Sequence, residues 1–233
     1  MSRGLFIVFE GINGAGKTTI INNIMEKLNN KIVLLKTVDN DTIELWNYYK
    51  FPNRTTIIGQ KIDKFLKNEL NINSIDAQSK IFSENRKEFR VEMEQLLKKG
   101  YNIICDRYTY SNAAYTLSDQ TINIMNNNNK IGNYTCYKLD DAFKYDKGLL
   151  KPDLVFLING DLLHLRNEPS QRYHNDKIKN ILIFNNYILA LHHTNTRYIA
   201  INNELNKLEF TVQKIINLIH EHEYLNKTKF TYL

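Results

Sequence analysis

Gly11-Ile12-Asn13-Gly14-Ala15-Gly16-Lys17-Thr18 decides how the rest of the chain is read. It fits the pattern G-x-x-x-x-G-K-[ST], and its surroundings are the ones that pattern needs. Leu5-Phe6-Ile7-Val8-Phe9 before it is a continuous apolar run that reads as a buried strand. After it, Thr18 to Leu28 reads as an amphipathic helix, with Ile20, Ile21, Ile24, Met25 and Leu28 on one side and Asn22, Asn23, Glu26 and Lys27 between them. Strand, glycine-rich turn and helix together make a phosphate-cradling P-loop. Glycines at Gly11, Gly14 and Gly16 let the backbone curl close to an anion, while Asn13, Ala15 and the first helical residues Lys17, Thr18 and Thr19 turn N–H groups and the positive end of a helix toward it. Lys17 can reach the β- and γ-phosphates of a nucleotide, and the Thr18 hydroxyl can ligate Mg²⁺.

Composition narrows the class. A chain of 233 residues suits one α/β domain with additions, long enough to bury a real core. No apolar run approaches a membrane span. Met1-Ser2-Arg3-Gly4 leads straight into the first strand, so a cleaved leader is not expected, since its removal would take the P-loop with it. Of the two cysteines, Cys105 lies in an apolar strand and Cys136 has no metal-ligand neighbour, which fits a reducing compartment such as the cytoplasm. The net charge of +6 is not gathered into a Lys/Arg block. It suits a pocket for several phosphates better than a nucleic-acid surface.

Further along, strands are expected at Ile32–Leu35, Tyr101–Asp106, Leu154–Ile158 and Tyr198–Ile201, with Thr37 to Lys50 unassigned. Helices are expected over Thr55–Leu70, from an N-cap at Ser74 to a stop at Gly100, over Ile178–His192 and over Leu208–Ile219. The weakly patterned region 117–147, with Asn126 to Asn129 in a row, reads as an insertion or long loop, and the polar segment 161–176 carries Arg166 and Arg172. Alternating strands and helices imply a five-stranded parallel sheet flanked by helices, a single domain over 1–233, with its ligands at the carboxyl ends of the strands.

Several residues extend the site. Asp106 ends a hydrophobic strand, where a carboxylate either caps the strand or holds Mg²⁺ through water; Arg107 beside it can grip a phosphate bidentately. Phe51-Pro52-Asn53-Arg54 sets another arginine after an aromatic-proline turn. Phe82 and Arg86 share a helix face, as a base-stacking ring with a polar partner or as a core phenylalanine beside a surface arginine.

Together these segments resemble the thymidylate kinase family, in its eukaryotic and large-DNA-virus form, over most of the chain. Phe9-Glu10-Gly11 through Thr18 resembles its first strand and P-loop, and Phe51-Pro52-Asn53-Arg54 its F-P-x-R segment. Phe82-Ser83-Glu84-Asn85-Arg86 is similar to its F-S-A-N-R helix, and Asp106 through Tyr115 to D-R-Y-x-x-S-G-x-A-Y. Gly148 to Asp153 resembles G-L-P-K-P-D, and Arg172-Tyr173 the Arg-Tyr pair of its lid, here about 161–176. The resemblance implies a P-loop NTPase fold and ATP-dependent phosphorylation of dTMP to dTDP with Mg²⁺ bound by Thr18 and Asp106. It implies a dTMP site at Asn13, Phe51, Arg54, Phe82, Arg86, Arg107, Ser111, Asn112, Tyr115 and Tyr173, and a homodimer packed through helices; membranes and nucleic acids are not expected partners. Lys17, Arg107 and the lid arginines would carry the transfer. Arg166 and Arg172 both remain candidates, with adenine stacking a second role open to Arg166.

The departures bear on specificity. The family's acidic third P-loop position is Asn13, its frequent arginine at the next is Gly14, and a common glycine near the base is Asn112. These keep a broader deoxynucleoside monophosphate kinase in play, and, from a different class, a catalytically silent nucleotide-binding protein. A nucleoside kinase is disfavoured by the phosphate-gripping Arg54 and Arg107.

Overall fold

The apolar run before the P-loop forms the central strand of the sheet. The computed structural model describes residues 3–35, 46–126, 138–160, 177–204, 206–223 and 230–233. Strand β1 (Phe6–Gly11) is buried at every position and lies between β3 (Asn102–Asp106) and β4 (Leu154–Gly160). Strands β2 (Trp46–Lys50) and β5 (Tyr198–Asn203) form the two edges, giving the order β2-β3-β1-β4-β5 with every pairing parallel. The inner strands are almost wholly apolar because helices cover both of their faces, whereas edge strand β2 buries Trp46 and Tyr49 and leaves Tyr48 and Lys50 outward.

Helix α1 (Lys17–Leu35) packs with α7 (Leu208–Glu223). Helix α2 (Ile57–Leu66) packs on α3 (Ile75–Lys98), α3 on α4 (Thr109–Asn126), and α4 lies along α6 (Lys177–His193) and the short α5 (Leu139–Phe143). The expected cap and stop of α3 are present. Ser74 Oγ accepts from Ala77 N at 3.0 Å, and Gly100, at φ +89°, donates to Leu97 O at 3.0 Å while Tyr101 N reaches Leu96 O at 3.1 Å.

Two expectations change. Ile32–Leu35 is not a strand but the end of α1, and the second strand is Trp46–Lys50, inside the segment that had no assignment. A short apolar run fits a helix end as well as a strand, and only pairing decides: Trp46 to Lys50 is matched residue for residue with Asn102 to Asp106. The region 117–147 is not one loop. Helix α4 runs on to Asn126, and α5 follows at Leu139–Phe143, burying Ala142 and Phe143. Polar residues hide this helix from a hydrophobicity reading, because Ser118 and Thr121 turn their hydroxyls back onto Ala114 O and Leu117 O. Residues 127–137, including Cys136, lie outside the described residues.

The start of α4 has an unusual cap. Glu10 comes from β1, is wholly buried, and points its carboxylate at the first turn of α4. Its Oε1 accepts from Tyr108 N at 2.8 Å and Ser111 N at 3.2 Å, and its Oε2 from Ser111 Oγ at 2.6 Å. A carboxylate at a helix N-terminus satisfies orphan N–H groups and complements the helix dipole. Burial lifts the Glu10 carboxyl above its ordinary range, while the Ser111 bond and the charge of Arg107 pull it back. Glu10→Ala leaves these donors buried and unpaired, at a cost of about 2–4 kcal/mol. The expected result is a melting midpoint lowered by roughly 5–15 °C in a calorimetric scan; an unchanged midpoint would remove Glu10 from this role.

Candidate active site

The P-loop lies where the carboxyl end of β1 meets α1. Gly11 sits at φ +140°, and a Cβ there would come within 2.2 Å of Ile158 O on β4; Gly16, at φ +86°, would place one 2.4 Å from Asn203 Nδ2. Neither position accommodates a side chain. Asn203, at the end of β5, donates to Ala15 O at 3.0 Å and so ties the loop to the far edge of the sheet. Lys17 folds back along the loop, where Nζ donates to Gly11 O at 3.0 Å and Ile12 O at 2.6 Å. Burial pushes its ammonium down to about 7; the Arg107 guanidinium adds to that, and Asp106 and Glu10 oppose it. A buried lysine held this way gains from an arriving polyanion.

Thr18 and Asp106 come together across the site although 88 residues separate them: Thr18 Oγ1 donates to Asp106 Oδ2 at 2.7 Å. The same oxygen faces Tyr48 OH at 3.5 Å and Lys50 Nζ at 3.5 Å from β2. Burial and Asp106 together push the Tyr48 hydroxyl up, so it stays a neutral donor. One hydroxyl and one carboxylate are hard oxygen donors. The pair fits Mg²⁺, which keeps several waters and leans on substrate phosphates rather than on a closed protein cage.

Arg107 is the hub of the other side. The chain must leave β3 and return its next N–H to Glu10, and it does so with Arg107 at φ +68°, a left-handed conformation costly to a side-chain-bearing residue. The guanidinium is then fixed on several sides. Nη1 donates to Tyr187 OH at 2.9 Å and Ser111 Oγ at 3.2 Å, and Nη2 to Asn13 Oδ1 at 2.5 Å and Tyr115 OH at 3.4 Å. Its centre stands 5.4 Å from the Tyr115 ring centroid, within cation–π range. Asn13 Oδ1 also accepts from Tyr115 OH at 3.1 Å, so Asn13, Ser111, Tyr115 and Arg107 form one network. Tyr187, fully buried on α6, closes it by donating to Gly11 O at 3.3 Å.

The Phe51–Arg54 turn leaves the carboxyl end of β2 and is pinned to α3. Phe51 is buried with its ring 5.8 Å from Phe89 and 5.9 Å from Tyr108. Asn85 clamps the turn from both sides, accepting from Asn53 N at 2.7 Å and donating to Asn53 O at 3.1 Å. Arg54 is half exposed and pairs with Asp63 of α2 at 2.8 Å. Phe82 is partly buried, edge-on to Phe65 at 6.4 Å. Arg86 is no surface residue: it is 2% exposed, and its Nη2 donates to both oxygens of Asp146, at 2.7 and 2.9 Å. Asn112 is buried, its Nδ2 3.4 Å from Ala142 O. Arg166, Arg172 and Tyr173, in the expected lid, lie outside the described residues.

Sequence reasoning missed Glu10, Asn85, Asp146, Tyr187 and Asn203 as site-building residues. Glu10 and Asn85 sit inside quoted motifs and could have been singled out as buried polar positions; Asn203 lies at the end of the fifth expected strand, and its place at a carboxyl end of the sheet is its signal. Asp146 and Tyr187 carry no local signal.

The thymidylate kinase family model matches residues 9–215. Thymidylate kinase of Plasmodium falciparum (isolate 3D7) is 40% identical over 157 residues, covering 67% of this chain and 62% of that protein. Thymidylate kinase of Dictyostelium discoideum is 34% identical over 159 residues, covering 68% and 60%. The chain thus spans about three fifths of the length of these curated relatives. The solved thymidylate kinase of Candida albicans, described with broad substrate specificity and a novel structural element, shares the fold, with a TM-score of 0.79 over 100% of this chain and 99% of that one at 24% identity. The thymidylate kinase of Ehrlichia chaffeensis superposes less closely, with a TM-score of 0.55 at 17% identity over 94% of this chain and 99% of that one. The matched span of 9–215 takes in the P-loop, the Thr18–Asp106 pair and the Arg107 network alike, and the chain belongs to the thymidylate kinase family.

Proposed function

We propose that this chain transfers the γ-phosphoryl group of ATP to dTMP, yielding ADP and dTDP. The observation that carries the reading is the meeting of two half-sites at the carboxyl ends of β1 and β3. One is a polyphosphate cradle with the Thr18–Asp106 oxygen pair, and the other is a guanidinium, Arg107, held in place by Asn13, Ser111 and Tyr187. Thr18 would bind Mg²⁺ directly and Asp106 through water; the bound ion neutralises charge on the β- and γ-phosphates. Lys17 would leave its loop carbonyls for the phosphates and regain full charge there. Arg54 and Arg107 would hold the dTMP phosphate in line with the γ-phosphorus. That phosphate is already ionised, so no strong general base is needed, and catalysis is positioning with electrostatic stabilisation. Phe82 and Arg86 would take the base, with Phe51, Asn112, Tyr115 and Tyr173 around it. Either Arg166 or Arg172 would complete the charge on a lid at 161–176, whose closure would exclude water.

Family membership supports a homodimer as well. Action in the cytoplasm is in keeping with Cys105, buried and free of a disulfide among the described residues. Among the described residues no helix is long and apolar enough to cross a membrane.

ADP release from Mg·ATP with each nucleoside monophosphate in turn tests the reading. A rate dominated by dTMP supports it. Equal rates with dUMP or dGMP would make this a broader monophosphate kinase, and ATP binding without transfer would make it a silent binding protein. Lys17→Ala should lower kcat by about 10²–10³-fold with little change in dTMP affinity; near-normal turnover would sink the P-loop assignment. Arg54→Ala should weaken dTMP by about 1.5–3 kcal/mol in a calorimetric titration. The fold should be spared, because Asp63 keeps Lys67 at 2.7 Å. Unchanged affinity would take Arg54 out of the site. Asp106→Asn should shift the Mg²⁺ dependence of turnover to higher concentration, and an unaltered Mg²⁺ titration would argue against its place beside the ion.

A further inference from the structure

Arg86 carries an uncommon burden. It lies in α3 at 2% exposure, and its charge is balanced by Asp146, itself 1% exposed, 60 residues away. Both Asp146 oxygens are engaged by the same nitrogen, Nη2. Arg86 Nε is buried with no hydrogen-bond partner. A buried N–H donor without an acceptor is costly in a folded protein, and a ligand acceptor offered at that point would relieve it.

Asp146 is itself held. It sits in a turn closed by Asp146 N to Phe143 O at 2.9 Å and Leu149 N to Asp146 O at 3.0 Å. One residue before it, Tyr145 O accepts from Ser83 Oγ at 2.7 Å, and Tyr145 OH donates to Asp76 at 2.6 Å, so the turn is fastened to α3 at two points on the N-terminal side of Arg86. Just beyond it, Gly148, Leu149 and Lys151 pair with Phe230–Leu233: Gly148 N to Leu233 O at 3.0 Å, Leu233 N to Leu149 O at 3.0 Å and Lys151 N to Thr231 O at 2.8 Å. The Arg90 guanidinium of α3 lies over the Tyr232 ring at 5.5 Å, so this strap grips the same helix.

Resting on the kinase reading above, we propose that Asp146 is a positioning residue that sets base specificity. It locks the Arg86 guanidinium in one orientation, so that Nε always presents a donor to the base. An arginine cannot become an acceptor. A fixed donor favours a pyrimidine with a carbonyl at that edge, as in dTMP, over one with an amino group there, as in dCMP. Selectivity against the amino base then depends on the carboxylate that prevents Arg86 from turning away.

The test compares dTMP and dCMP as acceptors for the wild type, Asp146→Asn and Ser83→Ala, which loosens the turn while leaving the ion pair intact. Asp146→Asn should raise the dTMP KM about 10-fold and lower the dTMP-over-dCMP preference by a similar factor. The ATP KM should stay within about twofold, since the P-loop is untouched. Ser83→Ala should move dTMP KM and preference the same way by a smaller factor. Unchanged dTMP KM and preference in a folded variant would overturn the proposal, as would an equal rise in both KM values with loss of kcat. Should Asp146→Asn not fold, Ser83→Ala decides by the same criteria. Calorimetric titration of dTMP and dCMP without ATP separates this proposal from the kinase reading. A wild type that transfers to no monophosphate overturns the reading, whereas the ratio of the two affinities still decides the role of Asp146.

Discussion

A carboxylate buried without any exposed surface, Glu10, is the constraint from which the rest of the site follows. It stands at the carboxyl end of the central strand, and burial there disfavours its charge unless donors surround it. The donors are the backbone and hydroxyl at the start of α4, and reaching them forces the chain to reverse within the two residues after β3. That reversal puts Arg107 in the left-handed region and sends successive side chains to different places: Asp106 toward Thr18 on α1, Arg107 toward Asn13 in the P-loop. Strain at one residue is thus tied to two features at once, a metal-competent oxygen pair and a fixed guanidinium. Backbone strain persists only where the surroundings over-determine it, and here parallel register, helix cap and ring packing all do so.

The charge balance of the site suits an anion. Lys17, Arg107 and Lys50 surround Asp106 and Glu10, and the carboxylates are already used, one as a helix cap and one as partner to a hydroxyl. Lys17 lies in a poorly solvated place, where burial first and then the Arg107 charge push its ammonium down to about 7. Preorganised charge of this kind costs stability in the folded chain and is returned when phosphate enters.

Much of this was legible in the sequence and some was not, for physical reasons. The P-loop, the caps of α3 and the strands at Leu5, Tyr101, Leu154 and Tyr198 are local signals. Ser74 and Gly100 act within a few residues of themselves, and continuous apolar strands announce their own burial. The edge strand Trp46–Lys50 was missed because it alternates only weakly and is defined by its partner, while Ile32–Leu35 has the composition of a strand and ends a helix. The polar scaffold lay deeper still. Tyr187 reaches Gly11 across 176 residues, Asn203 reaches Ala15 across 188, and Asp146 reaches Arg86 across 60. Such contacts leave no spacing in the chain, so the candidate site residues are easier to read than those that hold them in place. The Phe51–Arg54 turn makes the same point: the aromatic, the proline and the arginine are recognisable, but Asn85, which grips the turn, looks like filler in its own motif.

The two ends of the site solve the problem of buried charge differently. At the P-loop end Lys17 and Arg107 hydrogen-bond carbonyls, hydroxyls and an amide, so an anionic ligand would add negative charge beside them. Around Arg86 the charge is already neutralised by Asp146 within the protein. A buried ion pair of this sort contributes little net stability, because desolvating both groups offsets most of their attraction, and well-packed apolar side chains of similar volume would serve the fold as well or better. What an apolar replacement could not offer is a rigid donor whose charge is already balanced. Stability therefore gives little reason for an arginine and an aspartate at these two positions, and the proposed base recognition gives a specific one: a donor whose charge is already balanced suits a neutral base.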